Sequence, residues 1–159
     1  MDAPLEAEAF LARHRPRQAG ALPMFAAVTA ELVKHVGAEQ LRSLFYLAGS
    51  RIAEENPLQG VDRIGDLERA ARSLLARHDW GWLRIDQHED SVDFVHGDAP
   101  LESWFGEDSA AWAPALFEGL YSTWVRQLGA EERLQLRQVG NTDSRSRELR
   151  FRLMHENHF

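Results

Sequence analysis

Between Asp86 and Glu118 the chain carries nine carboxylates: Asp86, Glu89, Asp90, Asp93, Asp98, Glu102, Glu107, Asp108 and Glu118. No Lys or Arg falls between Arg84 and Arg126. Paired carboxylates do acid–base chemistry when their surroundings raise one pKa and leave the neighbour ionised. Here they lie mostly in turn and loop sequence, the pattern of a solvated or partner-facing surface. Histidines are the next candidates. His155-Glu156-Asn157-His158 offers imidazoles and a carboxylate, but without the helix that fixes a His-Glu-x-x-His zinc site and without a third ligand. It reads as a tail. His96 closes an alternating run and is placed to hydrogen-bond across the loop that follows. There is no cysteine, which excludes disulfides, thiolate metal sites and a Cys nucleophile. No Gly-rich phosphate loop, Gly-x-Ser-x-Gly elbow or dinucleotide fingerprint occurs. These residues name no catalytic set, no metal site and no cofactor.

The aromatic residues are the other source of chemistry. All five tryptophans, Trp80, Trp82, Trp104, Trp112 and Trp124, lie between Asp79 and Trp124, the segment that also holds these carboxylates. Aromatic faces bind sugar rings, and they also fill cores and oligomer interfaces. Strand spacing of Trp80 and Trp82, and helical spacing of Trp112 and Trp124, favour burial. Trp112, Phe117, Tyr121 and Trp124 are therefore core or interface candidates, and Trp104 is the least explained. At the other end, Phe10 and Arg13 precede the basic link His14-Arg15-Pro16-Arg17-Gln18-Ala19-Gly20. A helix this short is marginal in water, so residues 1–20 form either a mobile arm or an element docked on a neighbouring subunit. By chemistry alone Phe10, Arg13, His14, Arg15 and Arg17 are candidates for sugar or subunit contacts: planar polar and aromatic groups hydrogen-bond hydroxyls without gripping them.

These residues must be held by regular elements. From Leu22 to Val36 the apolar residues Phe25, Val28, Leu32 and Val36 recur at helical steps, with Pro23 in the first turn and Gly37 as the stop. Leu41, Leu44, Phe45, Ala48 and Ile52 define a second helix ending before Pro57. Ile64, Leu67, Ala71, Leu74 and Leu75 face inward on a third, from about Asp62 to His78. At Trp80 the period changes to two. Leu83 and Ile85 share one face, and after a polar turn Val92 and Phe94 oppose Asp93 and Val95, which signals a β-hairpin. Residues 97–109 read as an irregular exposed loop. Asp108 or Ser109 then caps a helix with Pro114 near its first turn and an apolar stripe of Phe117, Leu120, Tyr121, Trp124 and Leu128. A second hairpin ends the chain, 133–137 against 148–153, turning at Gly140-Asn141-Thr142-Asp143, with Leu149, Phe151 and Leu153 inward. The fold class is α+β: N-terminal helices, a β-hairpin, a long core helix and a second β-hairpin, giving a small antiparallel sheet of about four strands. The domain organisation is an arm, residues 1–20, and a single α+β domain, residues 21–159.

At 159 residues, 44% hydrophobic and 27% charged, the chain is long enough for one self-sufficient core. Its net charge of −7 disfavours nucleic acid as a partner. The acidic N-terminus does not read as a secretory signal, and no run is long enough to span a bilayer. The default address is the cytoplasm, although a cysteine-free chain would also suit a periplasm.

Three segments carry a family resemblance: Asp79-Trp80-Gly81-Trp82-Leu83-Arg84-Ile85, Val95-His96-Gly97-Asp98-Ala99-Pro100, and Ala113-Pro114-Ala115-Leu116-Phe117-Glu118-Gly119-Leu120-Tyr121-Ser122-Thr123-Trp124. In order and spacing they are similar to the D subunit of bacterial cellulose synthase operons, with its Trp-Gly-aromatic, Val-His-acidic and Leu-Glu-Gly-Leu-Tyr-x-x-Trp patterns. The resemblance implies a non-catalytic accessory protein of α+β fold that assembles as a ring-like octamer, a tetramer of dimers. It implies action beside the membrane synthase complex, ordering nascent β-1,4-glucan chains or the synthases themselves so that crystalline cellulose is exported. N-terminal arms would line glucan passages, or the protein would form scaffolds with a proline-rich partner. The arm of this chain matches no family motif. The alternative reading is a small-ligand-binding or sensor domain, since helices over a small antiparallel sheet can enclose a Trp-walled pocket.

Overall fold

The computed structural model describes residues 21–140 and 148–159. Three helices come first, α1 (Leu22–Val36), α2 (Ala38–Glu55) and α3 (Ile64–Arg77). The hairpin β1 (Trp82–Gln87) and β2 (Val92–Gly97) follows. Then come a short helix α4 (Leu101–Phe105), a 3-10 turn at Glu107–Ala111 and the core helix α5 (Ala115–Gln127). Strands β3 (Leu134–Gln138) and β4 (Leu149–His155) end the fold, with a 3-10 turn at Glu156–His158. This is the α+β architecture implied by the change of period at Trp80.

The sheet has four antiparallel strands in the order β1-β2-β4-β3. Each hairpin pairs internally, and β2 joins β4 in the register Phe94↔Phe151 and His96↔Leu149. β2 is flanked on both edges, and its residues 93–97 are buried on both faces. Phe94 and His96 point to the helices, while Val95 and Asp93 lie on the opposite face, at 0% and 2% exposure. The alternation Leu149, Phe151 and Leu153 inward with Arg150 and Arg152 outward holds. Both outer strands have an outward amide bound by a helix carboxylate. Glu68 of α3 accepts from the Ile85 amide at 2.8 Å, and Glu118 of α5 accepts from that of Gln138 at 2.9 Å. An open strand edge templates association, and these two carboxylates occupy a ladder position on each edge.

The centre of the fold is the crossing of α2 and α5. Gly49 lies where a Cβ would stand 1.8 Å from the Leu116 carbonyl oxygen, and Gly119 where one would stand 2.0 Å from that of Tyr46. Only glycine at both positions lets the two backbones meet so closely. This approach brings Phe45 to 4.7 Å from Trp112, ring centre to ring centre, and lets Trp124 Nε1 donate to the Asn56 carbonyl at 3.0 Å.

Several sequence expectations need correction. The stretch 97–109 is not an irregular exposed loop: it contains α4 and a 3-10 turn, and Leu101 and Ser109 are buried. Leu101 supplies the apolar anchor that makes so short a helix stable. Neither Asp108 nor Ser109 caps α5, which starts after Pro114, and the Ser109 hydroxyl instead lies 3.5 Å from the Leu101 carbonyl. Strand β1 begins at Trp82 rather than Trp80. The helical stripe of α1 is mostly exposed, with only Leu32 packed partly buried against the core. Its one fully buried residue is Thr29, whose hydroxyl donates to the Phe25 carbonyl at 2.8 Å, while Phe25, Val28 and Val36 are exposed. Leu44 and Ala48 of α2 are exposed likewise. The expected turn beyond Gly140 lies outside the described residues.

Candidate functional site

The three motif segments meet one another in space. His96 is fully buried between them. Its Nε2 lies 2.7 Å from the Trp80 carbonyl oxygen and its Nδ1 2.6 Å from the Tyr121 hydroxyl. A carbonyl only accepts, so Nε2 carries the proton and Nδ1 accepts from Tyr121. Burial lowers the His96 pKa from its ordinary 6.5 to about 4, against the opposing pull of the Trp80 carbonyl, and raises that of Tyr121. The imidazole is therefore neutral and fully bonded at pH 7, a structural clasp rather than a catalytic base. Gly81, at φ 88°, approaches Gly97 so closely that a Cβ would fall 2.1 Å from its carbonyl oxygen. The indole of Trp82 lies over Gly97 and donates to Asp98 at 3.2 Å.

Glu118 and its neighbours close the network. The Glu118 carboxylate accepts from Arg42 at 2.6 Å as well as from the Gln138 amide. It thus ties α2, α5 and β3 at one point. Asp93, expected on the acidic surface, is buried instead and takes two bonds from Arg152, at 2.7 and 2.9 Å. Those bonds hold its pKa below the ordinary carboxylate value. By contrast Glu89, Asp90, Asp98, Glu102, Glu107 and Asp108 are solvent-exposed.

Among the core or interface candidates, Trp112, Phe117, Tyr121 and Trp124 are all 0–2% exposed and lie inside this chain's own core. Trp112 Nε1 is buried without a hydrogen-bond acceptor, beside the rings of Phe45 and Phe105. Trp104, the residue least accounted for by the sequence, is half-buried against Trp80 and Phe105. Phe10, Arg13, His14, Arg15 and Arg17 lie outside the described residues.

Two surfaces can engage something else. The first is apolar. On α1, Met24, Phe25 and Val28 are 62%, 52% and 51% exposed, and on α2, Leu44 and Leu47 are 52% and 65% exposed. The two helices are joined by Gly37 alone. Single exposed apolar residues are ordinary, but five large ones on two consecutive helices make these helices a candidate interaction surface. The second is a cleft of about 510 Å³ between α5, the side of α2 and strand β3. Sequence reasoning missed it, because its walls come from three elements far apart in the chain. Among the described residues no group of His, Asp and Glu could hold a metal ion, and no helix is long and apolar enough to cross a membrane.

The fold has distant counterparts of known structure. The trafficking protein particle complex subunit 3 of Naegleria fowleri, solved covalently bound to palmitic acid, superposes with a TM-score of 0.56 at 9% identity, over 86% of this chain and 93% of that one. The phenol-responsive sensory domain of the transcription activator PoxR, solved with phenol, gives 0.54 at 19% identity, over 84% and 74%. At these identities the likeness concerns fold alone. Closer in sequence are two proteins of Komagataeibacter xylinus, each named cellulose synthase operon protein D. One is 35% identical over 95 residues, 58% of either chain, and the other 27% identical over 101 residues, 62% of this chain and 65% of that one. The matched regions thus span less than two thirds of those relatives' lengths. The family model for the D subunit of cellulose synthase matches residues 7–152, nearly the whole chain, so this protein belongs to the cellulose synthase D-subunit family.

Proposed function

We propose that this protein is a non-catalytic accessory component of bacterial cellulose biosynthesis. It works as a homo-oligomer that orders β-1,4-glucan chains or synthase complexes for export, in contact with the membrane synthase complex. The observation that carries the reading is the set of exposed apolar residues on α1 and α2. Met24, Phe25, Val28, Leu44 and Leu47 project into solvent from a chain whose remaining large apolar residues are mostly buried. Burying such a face between copies recovers roughly 1.5–3 kcal/mol per large side chain. Homo-oligomers with closed symmetry are the usual product of a self-complementary face. Family membership supplies the cellulose context, and an octamer is the assembly the family resemblance implies.

A pocket-binding sensor is the weaker reading. The space between α5 and the sheet, where such a ligand would sit, is filled by Phe94, His96, Phe117, Tyr121 and Phe151, with ring centres 4.0–6.2 Å apart. Light scattering over a dilution series tests the proposal. The expected result is a mass near eight protomers, independent of concentration. A mass of one protomer at every concentration would sink it.

A further inference from the structure

The outer face of the sheet, turned away from the helices, carries a charge pattern that the rest of the chain does not share. Strand register sets it out in rows. Arg84 of β1 and Arg150 of β4 flank Val95 of β2. The next row runs Asp86, Asp93, Arg152 and Arg137 across all four strands. The carboxylates lie low in this array. Asp93 is buried and engaged by Arg152, while Asp86 and Glu148 are half-buried beside Arg84 and Arg150. The groups that stand furthest into solvent are guanidiniums, those of Arg84, Arg137 and Arg150. Arg137 sits directly opposite Arg152, a like-charge pairing that costs stability in a sheet. Its partners among the described residues are neutral, the Gln135 side-chain oxygen and the ring of Phe159 at 4.7 Å.

Such a face fits a planar array of anions. Guanidiniums take phosphate oxygens in a two-pronged grip. The exposed ion pair of Arg84 with Asp86 holds it back little, since surface pairs are weak and exchange readily. Aromatic rings stand at two margins, Trp82 on β1 and Phe159 beside Arg137 of β3, and rings of this kind settle at the headgroup level of a bilayer. The net charge of −7 does not oppose the contact. A bilayer meets one face, and exposed charges more than about 8–10 Å away are screened at physiological salt. A nucleic acid extends past one face and would meet the acidic remainder of the surface. We propose that the outer face of the sheet, through Arg84, Arg137, Arg150 and Arg152, docks this protein on the anionic phospholipids of a membrane surface. The contact goes beyond the scaffold reading above, which sets the protein beside a membrane complex but gives it no lipid contact of its own.

The test is co-sedimentation of the intact protein with vesicles of phosphatidylcholine alone and of phosphatidylcholine mixed equally with phosphatidylglycerol. The expected result is binding to the anionic vesicles only, abolished by raising the salt to about 0.5 M. Arg137→Gln with Arg150→Gln should weaken that binding about tenfold or more, each guanidinium near the surface counting for about fivefold. Arg69→Gln with Arg72→Gln on α3 removes the same charge elsewhere and should leave it unchanged. Arg137→Lys with Arg150→Lys keeps the charge and should retain most of the binding. Equal thermal unfolding of the Gln and Lys pairs separates lost charge from lost folding. If the Gln pair melts early, Arg84→Gln takes its place, with a loss of about fivefold. No binding to anionic vesicles, or equal binding to neutral ones, would overturn the proposal. So would binding that the Gln pair retains, an equal loss in the α3 pair, or a Lys pair as weak as the Gln pair. Tighter binding of a single-stranded RNA oligomer, lost in the same variants, would overturn it in favour of nucleic acid. Solution mass is read separately. An octamer that ignores anionic vesicles removes the docking face and leaves the scaffold standing, and a monomer that binds them does the reverse.

Discussion

At the scale of single residues, the fold depends on contacts whose tolerance is small. Gly119→Ala places a methyl group against the Tyr46 carbonyl, which α2 can relieve only by moving away. The expected cost is about 3 kcal/mol, the upper range of overpacking, read as a fall in urea midpoint with unchanged slope. Gly49→Ala is expected to do the same against Leu116. His96 gives a pH dependence with a definite sign. Its folded pKa, about 4, lies below the ordinary 6.5, so between these values the unfolded chain binds more protons. Stability contributed above about pH 6.5 is therefore lost as the pH falls toward 4, by roughly 3 kcal/mol in all. His96→Gln should flatten that limb of the profile, and a profile with the same slope in the variant would refute the assignment. Much of this was legible, since His96, Tyr121 and Trp124 stand out by type and spacing. The hydrogen-bond partners of His96 were not, because the Tyr121 hydroxyl and the Trp80 carbonyl converge on the ring only through tertiary packing. Asp93 was misread for a related reason: strand alternation shows that it opposes Phe94 but not that Arg152, on β4, will cover it.

At the scale of elements, helical and strand periods located, among the described residues, every helix longer than one or two turns and all four strands. They failed where burial and amphipathicity part company. The stripe Phe25, Val28, Leu32, Val36 has the spacing of a core face, and periodicity cannot say whether the covering surface belongs to the same chain. That is why α1 is informative. Val28→Asp together with Leu47→Asp should leave the unfolding midpoint of the isolated protomer little changed, since both residues are already exposed, while lowering the solution mass. If the mass is unaltered, this face is not where copies meet. Glu118 makes the opposite kind of prediction. Replacing it by Ala removes the acceptor for Arg42 and for the Gln138 amide together, at a cost of about 2–3 kcal/mol for bonds to a charged group. Amide exchange at Gln138 should speed up correspondingly. Gln at this position restores acceptor geometry without charge and should recover part of the loss.

At the scale of the whole molecule, two consecutive helices carry exposed apolar residues, a cleft opens beside α5, and the interior of the described residues is occupied by aromatic rings. The proposed scaffold role would act through those surfaces. Cellulose output in cells carrying Val28→Asp/Leu47→Asp should therefore fall or lose crystalline order while the protein itself persists at normal abundance. Unchanged cellulose from a protein whose solution mass has dropped would detach assembly from function.

The strand order β1-β2-β4-β3 also bears on how the chain comes to exist. The central strand β2 gains its second neighbour only from a strand translated after both α5 and β3. Until Leu149–His155 emerge from the ribosome, Phe94 and His96 have no β4 beside them, and β3 has no strand to pair with. A growing chain thus carries an open, hydrophobic strand edge for the whole time that α5 is being made, the kind of surface on which nascent chains stick to one another. Neighbouring nascent chains are most exposed to this hazard when many ribosomes translate one message side by side. Faster translation of the segment from α5 to β4 is then expected to raise the yield of folded protein.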